Sequence, residues 1–231
     1  MSYGFGKSIV TDGLVFYVDA ANENSYSGSG STFSDLVGSN DVTLYNTPTY
    51  SSDNGGIFSF DGVNEGGQTT SGTLLNAPIT VDVWAKPQTT GSDGTIVGNW
   101  RQTDFFFLLW WDVGVTANFR AIYKTTSSTQ VVTSESATRG TVNSWNHVSV
   151  SVDGTDMKIY LDGTLQETVS TGLLNTPPGA YRVGIAADYY GSPGVVTRNL
   201  DGDIAAVKIY NRVLTADEVL QNYNALKNRF V

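Results

Sequence analysis

Six Asp-Gly dipeptides divide the sequence into short apolar segments. Asp-Gly is typical of tight hairpin turns, because a type I′ turn needs a positive φ at both central residues. The clearest case lies at 145–169, where valines alternate with serines before Asp153-Gly154. A second alternating segment follows and ends at Asp162-Gly163. The pattern predicts a three-stranded antiparallel meander with one face in a core.

Further short strands are expected along most of the chain. Many short strands between turn signals are typical of a sandwich, and no segment shows the strand–helix–strand alternation of a parallel sheet. The 231 residues therefore predict one all-β domain, an antiparallel jelly-roll β-sandwich at 11–231, after an extended segment at 1–10. Strands are expected at 14–19, 56–60, 79–85, 95–99, 105–110, 118–123, 131–134, 180–186 and 203–210. The residues expected in the core are Val148, Val150, Val152, Ile159, Leu161, Val207 and Ile209.

One short helix is expected at the C-terminus, at 216–228. Thr215 and Glu218 have the spacing of a capping box, in which each residue accepts a hydrogen bond from the other's backbone N–H. The apolar residues Val219, Tyr223, Leu226 and Phe230 follow at helical spacing. This stripe predicts a helix that packs on the sandwich.

The balance of charges argues against several partners. The chain has 13 basic and 22 acidic residues, a net charge of −9, so neither nucleic acid nor an anionic membrane surface is an expected partner. The acidic excess lies in residues 1–115, either as a solvated face or as loops that bind a cation or a basic partner. No cysteine is present, which excludes disulfides and thiol chemistry. The N-terminus lacks the apolar region of a secretory signal.

Four groups of segments, taken in order, resemble one family. They are 13–22 with 25–30 and 35–38; 58–64; 145–148 with 158–163; and 200–204 with 208–214. Together they resemble the concanavalin A-like lectin/glucanase superfamily in its laminin G-like branch, over residues 9–228. The resemblance implies the sandwich fold, but this fold is shared by lectins, hydrolases and structural modules.

The opening segment at 6–14 resembles the laminin G-like proteins of tailed bacteriophages, cyanophages among them. That resemblance implies a non-catalytic virion structural protein, and a small stand-alone domain favours a capsid (head) decoration on the particle surface. Its expected partners are other virion proteins, the major capsid protein or tail proteins, and a homo-oligomer is expected. The alternative is a tail-fibre or adhesin module that binds a host surface glycan.

A glycoside hydrolase is a second alternative, but the sequence argues against catalysis. Glucanases of this superfamily have a Glu-x-Asp-x-x-Glu strand, and none of the five glutamates here has that spacing. No Gly-x-Ser-x-Gly motif supplies a nucleophile for the single histidine, His147. We therefore expect a structural role for His147, with its ring bonded to a neighbouring loop.

Acidic loops make calcium the one metal that the sequence suggests. Calcium takes six to eight oxygen ligands, and the best candidates are Asp61, Asn64 and Glu65. The alternative is that these residues only form turns, which explains Asp-Gly fully. A structural calcium is a possible cofactor, and no other cofactor is expected.

Two aromatic sites could bind a carbohydrate or a partner, because an exposed ring beside polar groups suits a sugar. The first is Tyr189 with Tyr190, and the second is Trp100 with Arg101. The alternative for the tyrosines is packing on the sandwich rim. The apolar run at 105–111 is interpreted as a strand buried on both faces.

The N-terminal segment is a candidate for attachment. Tyr3, Phe5, Ile9 and Val10 are apolar but precede the domain and lie among glycines. Such a segment can add a strand to a partner's sheet edge. The alternative is that it folds back as an edge strand of its own sandwich.

Overall fold

The computed structural model describes residues 8–72, 74–88, 93–99, 107–112, 118–124, 130–132, 140–171, 182–189 and 196–231. The strands are β1 (Leu14–Asp19), β2 (Thr32–Phe33), β3 (Val42–Tyr45), β4 (Thr49–Ser51), β5 (Ile57–Asp61), β6 (Gly66–Gly72), β7 (Ile79–Pro87), β8 (Gly94–Gly98) and β9 (Phe107–Asp112). They continue as β10 (Asn118–Lys124), β11 (Gln130–Val132), β12 (Asn146–Val152), β13 (Asp156–Leu161), β14 (Thr164–Ser170), β15 (Arg182–Ile185), β16 (Asp188–Tyr189), β17 (Val196–Thr197) and β18 (Asp201–Tyr210). One helix, α1 (Ala216–Leu226), follows, and 3₁₀ turns lie at Asp53–Gly55 and Lys227–Arg229.

Two antiparallel sheets form the sandwich, which confirms the predicted fold class. The first sheet has the order β14-β13-β12-β7-β18-β5-β4, with β1 paired to the C-terminal half of β18. The second sheet has the order β11-β10-β9-β8-β15-β6-β3-β2. A separate hairpin is made by β16 and β17. The described strands that were not expected are β2, β3, β4, β6, β16 and β17; all of them except β6 have four residues or fewer, and β6 has no large apolar residue.

The Asp-Gly signals identify turns at some positions only. Asp162 and Gly163 have φ values of 50° and 76°, as a type I′ turn requires, and they join β13 to β14 in the predicted meander. By contrast, Asp93-Gly94 and Asp201-Gly202 lie at the starts of β8 and β18. Two of the six expected turns are therefore strand beginnings.

The core lies between the two sheets. Six of the seven residues predicted to be in it are completely buried, and Leu161 is half-buried against the same cluster. The large rings Phe16, Trp111 and Phe119 are buried in it as well. Burying a large apolar side chain contributes about 1.5 to 3 kcal/mol, so this layer is the main source of stability.

Helix α1 covers the outer face of the first sheet. Its predicted capping box is present: Thr215 accepts from the Glu218 N–H and Glu218 accepts from the Thr215 N–H. The helix ends at Leu226 and a 3₁₀ turn continues to Arg229, so the predicted end at 228 falls within that turn. The Trp84 ring stacks on Phe230 at a centroid distance of 4.4 Å, which confirms that the apolar stripe packs on the sheet. None of the helices in the described ranges is long and apolar enough to cross a membrane.

A buried polar cluster lies beneath α1. Asp82 accepts a hydrogen bond from Lys208 Nζ at 2.5 Å, and its other oxygen lies 2.9 Å from His147 Nε2. All three side chains are completely buried. The ring of His147 thus contacts a neighbouring strand, not the loop that we expected. Because each member sits on a different central strand, the cluster joins β7, β12 and β18 under the helix.

The described part of the N-terminal segment packs on this same face. The Val10 N–H donates to Asn222 Oδ1 at 2.9 Å, and the Tyr210 hydroxyl donates to the Val10 carbonyl at 3.0 Å. Val10 is buried and Ile9 is half-buried, so neither is presented as a strand to a partner in this structure. Tyr3 and Phe5 lie outside the described residues. Attachment through the segment stays a prediction for those residues.

Candidate functional site

Trp110 stands on the outer face of the second sheet, on the side away from the core. Its neighbours Leu109 and Trp111 point into the core cluster, and strand alternation therefore turns Trp110 outward. The ring is half-buried and packs beside Leu108 and Ile122. The expectation that 105–111 is buried on both faces is confirmed at 107–109 and at Trp111, but it is wrong at Trp110, which is only half-buried. Residues 105 and 106 lie outside the described residues.

Asp188 of β16 and Arg198, which follows β17, pack against β8 beside this outer face, and Arg198 forms one wall of the site. The Thr95 N–H of β8 donates to the Arg198 carbonyl at 2.8 Å, and the Thr95 hydroxyl donates to Asp188 Oδ1 at 2.7 Å. The approach is close at Gly94, where a Cβ would lie 2.6 Å from Leu200 Cα. Glycine is therefore needed at 94 for the wall to sit against β8.

A pocket of about 230 Å³ opens between this wall and Trp110. The pocket is smaller than a typical drug-sized site of roughly 300 to 1,000 Å³, so it suits one small ring with the rest of a ligand outside. Asp93 and Arg198 are exposed and supply polar groups at its mouth. The residues that line it are Asp93, Gly94, Thr95, Trp110 and Arg198.

Two guanidinium groups flank the indole. The Arg120 and Arg198 guanidinium carbons lie 5.4 Å and 5.9 Å from the Trp110 ring centroid, within cation–π range. Arg120 forms an ion pair with Asp112, and Arg198 Nη1 lies 3.7 Å from Asp188 Oδ2. Each cation thus has a carboxylate beside it, and the described side chains of the site carry no net positive charge for an anionic ligand.

Asp188 has a strongly shifted pKa. Burial raises the pKa of its carboxyl to about 6, although the Thr95 hydrogen bond and the Arg198 charge act in the opposite direction. Its Oδ2 atom and the Trp110 Nε1 atom are buried without a hydrogen-bond partner in the described part of the chain. Buried polar atoms of native proteins usually have partners, so these two atoms are exceptions to that rule beside the pocket.

The predicted aromatic candidates lie partly outside what the structure describes. Tyr189 follows Asp188 in β16, and its side chain is outside the described residues. Tyr190, Trp100 and Arg101 are outside them too. The residue that sequence reasoning missed is Trp110, because 107–111 is apolar at every position and gives no alternation that would set Trp110 apart.

The three candidate calcium ligands form a local turn after β5. Asp61 Oδ1 accepts from the N–H groups of Val63 and Asn64, at 2.8 Å and 3.3 Å, and these bonds hold the Asp61 pKa below its usual value. Glu65 Oε2 accepts from the Asp61 N–H at 2.9 Å. Across the described residues, no three His, Asp or Glu side chains are grouped to hold a metal ion. Calcium binding at Asp61, Asn64 and Glu65 stays a prediction.

Comparisons with known proteins give the class of this fold. A sequence profile described as the concanavalin A-like lectin/glucanases superfamily matches residues 61–220, which is more than half of the chain. The chain therefore belongs to that superfamily, as its two-sheet sandwich indicates. No curated protein sequence matches it.

Solved structures with the same fold differ widely in sequence. Domain 4 of AbnA, an extracellular arabinanase from Geobacillus stearothermophilus in complex with arabinotriose, is 16% identical with a TM-score of 0.67, covering 91% of this chain and 98% of that domain. Trypanosoma rangeli sialidase is 15% identical with a TM-score of 0.69, covering 97% of this chain. The botulinum neurotoxin serotype D binding domain is 14% identical with a TM-score of 0.69, covering 92%. The chain spans 34% of that sialidase and 51% of that binding domain.

Proposed function

We propose that this protein is a non-catalytic carbohydrate-binding module whose sugar lies against Trp110. The observation that supports it most directly is the half-buried indole at the wall of a pocket with Asp93 and Arg198 at its mouth. A sugar ring has an apolar C–H face and a hydroxyl edge. An aromatic ring suits the first, and charged hydrogen-bonding groups suit the second.

The likeness to the arabinanase domain supports the same class of ligand. That domain is similar over nearly all of both chains, and its structure contains arabinotriose. Its sequence identity of 16% supports the fold alone, so the pocket at Trp110 is an inference from this chain's own residues. The pairing of Arg120 with Asp112 and of Arg198 with Asp188 favours an uncharged sugar.

The position of Asp188 favours binding over hydrolysis. A carboxyl with a pKa raised to about 6 could serve as a general acid. A general acid must reach the leaving oxygen, however, and Asp188 is completely buried beneath Thr95 and Arg198. We expect no release of reducing ends when the protein is incubated with the oligosaccharides that it binds.

The test is a binding titration with neutral and acidic oligosaccharides, arabinotriose among them. Trp110→Ala should weaken association with the best neutral ligand by tenfold or more, which corresponds to about 1.4 kcal/mol. Trp145→Ala removes an indole from the other face, where it packs on Phe230, and is the matched control. Unchanged affinity in Trp110→Ala, or no binding to any member of the panel at millimolar concentration, would reject the proposal.

A virion role remains a prediction, because it rests on the resemblance of 6–14 to phage proteins. Carbohydrate binding agrees with its tail-fibre or adhesin alternative better than with head decoration. Locating the protein in intact particles by electron microscopy would decide between head and tail. Its absence from purified particles would reject both.

A further inference from the structure

A second cavity lies at an edge of the sandwich, far from Trp110. It is found where β3 of the second sheet connects to β4, the edge strand of the first sheet, and its volume is about 510 Å³. In the second sheet β8, β15 and β6 separate β9 from β3. With strands about 4.8 Å apart, β9, which contains Trp110, and β3 are separated by roughly 19 Å.

The inner end of this cavity is apolar and fixed in position. Tyr26 and Leu44 line it, although both belong to the core cluster. The Tyr26 ring packs against Phe58 at 4.7 Å and Tyr50 at 5.0 Å between centroids, and its hydroxyl donates to the Gly30 carbonyl. A ligand that enters here would contact aromatic rings that are already held in place. Binding would therefore not lose free energy to the ordering of these side chains.

The outer rim supplies hydroxyl and amide groups. Ser31, Asn46 and Thr47 line the cavity and are exposed. None of the described residues that line it carries a charge, so neither an anion nor a cation would find an opposite charge there. A ligand with one apolar face and a hydroxyl edge matches both ends of the cavity, which is the chemistry of a neutral saccharide ring.

Backbone geometry at the rim is unusual. Asn46 and Thr47 have φ values of 60° and 62°, and a β-branched residue rarely adopts this region. The Asn46 side-chain amide donates to the Asn64 carbonyl at 2.6 Å, which holds the turn in place. The Thr47 hydroxyl donates to the Asn46 carbonyl at 2.7 Å, so both side chains help to fix the turn. Strain of this kind is often found at binding sites, and both residues line the cavity.

We infer that the cavity at Tyr26, Leu44, Asn46 and Thr47 is a second site for a neutral saccharide, independent of Trp110. A chain with two such sites can bind two units of one polysaccharide. Its avidity would then exceed the affinity of either site. The inference does not require the Trp110 pocket to bind sugar, because the two cavities share no residue.

The test uses Trp110→Ala, so that the first site does not contribute. The ¹⁵N-labelled protein is titrated with arabinotriose, cellotriose, maltotriose and trigalacturonic acid. Amide resonances of Ser31, Asn46 and Thr47 should shift saturably with at least one neutral sugar, and more weakly with the acidic one. No saturable shift with any neutral sugar, or a stronger response to the acidic one, overturns the inference.

A blocking variant separates this site from the first. Ser31→Trp places a large ring at the cavity mouth and should weaken binding there at least tenfold. Ser29→Trp is the matched control, since Ser29 is exposed on the same loop and does not line this cavity. Equal effects of the two variants overturn the inference. If Trp110→Ala abolishes sugar binding and Ser31→Trp leaves it intact, the sugar binds at the first site alone, which overturns the inference.

Discussion

The Nζ atom of Lys208 lies 2.5 Å from Oδ1 of Asp82, and neither side chain is exposed to solvent. Asp82 also accepts from Asn222 of α1 at 3.3 Å, so one carboxylate joins the sheet to the helix. Removing one partner of a buried ion pair leaves the other charge without compensation, which costs about 3 to 5 kcal/mol. Substitution of either residue should therefore lower the free energy of unfolding strongly.

Lys208→Met tests that sensitivity, because it keeps the length of the side chain and removes its charge. We expect the free energy of unfolding to fall by about 3 to 5 kcal/mol in urea denaturation. Lys158→Met is the control on β13 of the same sheet, where Lys158 is half-buried, and its effect should stay within about 0.5 kcal/mol. Equal stability of the two variants would show that the buried pair is not needed.

The same carboxylate predicts how stability changes in acid. Burial alone would raise the pKa of Asp82, but the His147 ring and the Lys208 ammonium outweigh it and lower that pKa below its usual value. A depressed pKa gives stability that is present above the unfolded value and is lost as the pH falls through the folded one. The difference in free energy of unfolding between the wild type and Asp82→Asn should therefore be largest above pH ~5. It should decrease progressively as the pH falls below ~4. Urea titrations across this range measure it, and a constant difference contradicts it.

Asp188 predicts a pH dependence of the opposite sign. Its folded pKa is raised to about 6 by burial, so its contribution to stability is lost as the pH rises from about 4 to about 6. Asp188→Asn keeps an acceptor for Thr95 and should be more stable than the wild type at pH 7, by at most about 3 kcal/mol. At pH 4 the two should be nearly equal. Melting temperatures at both pH values test this, and the same difference at each would contradict it.

Sequence patterns predicted the fold better than the site, for a physical reason. Alternation in 148–152 and the capping box at Thr215 are local signals, and both describe elements that the structure contains. The pocket depends on contacts between distant segments, such as the 2.7 Å bond from Thr95 to Asp188. Nothing near Trp110 in the sequence indicates that Arg198 lies beside its ring.

Loss of the helix cap should lower the stability by a smaller amount. Thr215→Ala removes the side chain that accepts from the Glu218 N–H, and loss of such a cap costs about 1 kcal/mol. Thr164→Ala, at an exposed position of β14, is the control and should have little effect. Thermal unfolding followed by circular dichroism compares the two. An unchanged melting temperature in Thr215→Ala would mean that the cap adds nothing to the packed helix.

Gly94→Ala tests whether the pocket wall depends on close backbone approach. The added Cβ would lie 2.6 Å from Leu200 Cα and 3.1 Å from the Asn199 carbonyl oxygen. Both are backbone atoms, so the segment at 198–200 must move away from β8. That movement strains the 2.8 Å hydrogen bond from the Thr95 N–H to the Arg198 carbonyl and shifts Arg198 away from Trp110.

We expect Gly94→Ala to lower the free energy of unfolding by about 1 to 3 kcal/mol, the usual cost of overpacking. Sugar binding that depends on Trp110 should weaken in the same variant. Gly154→Ala is the matched control, because a Cβ there meets no atom within 4 Å, and its effect should stay within about 0.5 kcal/mol. Urea denaturation and the oligosaccharide titration are measured on both variants. If Gly94→Ala matches Gly154→Ala in stability and in sugar binding, the wall does not require glycine at this position.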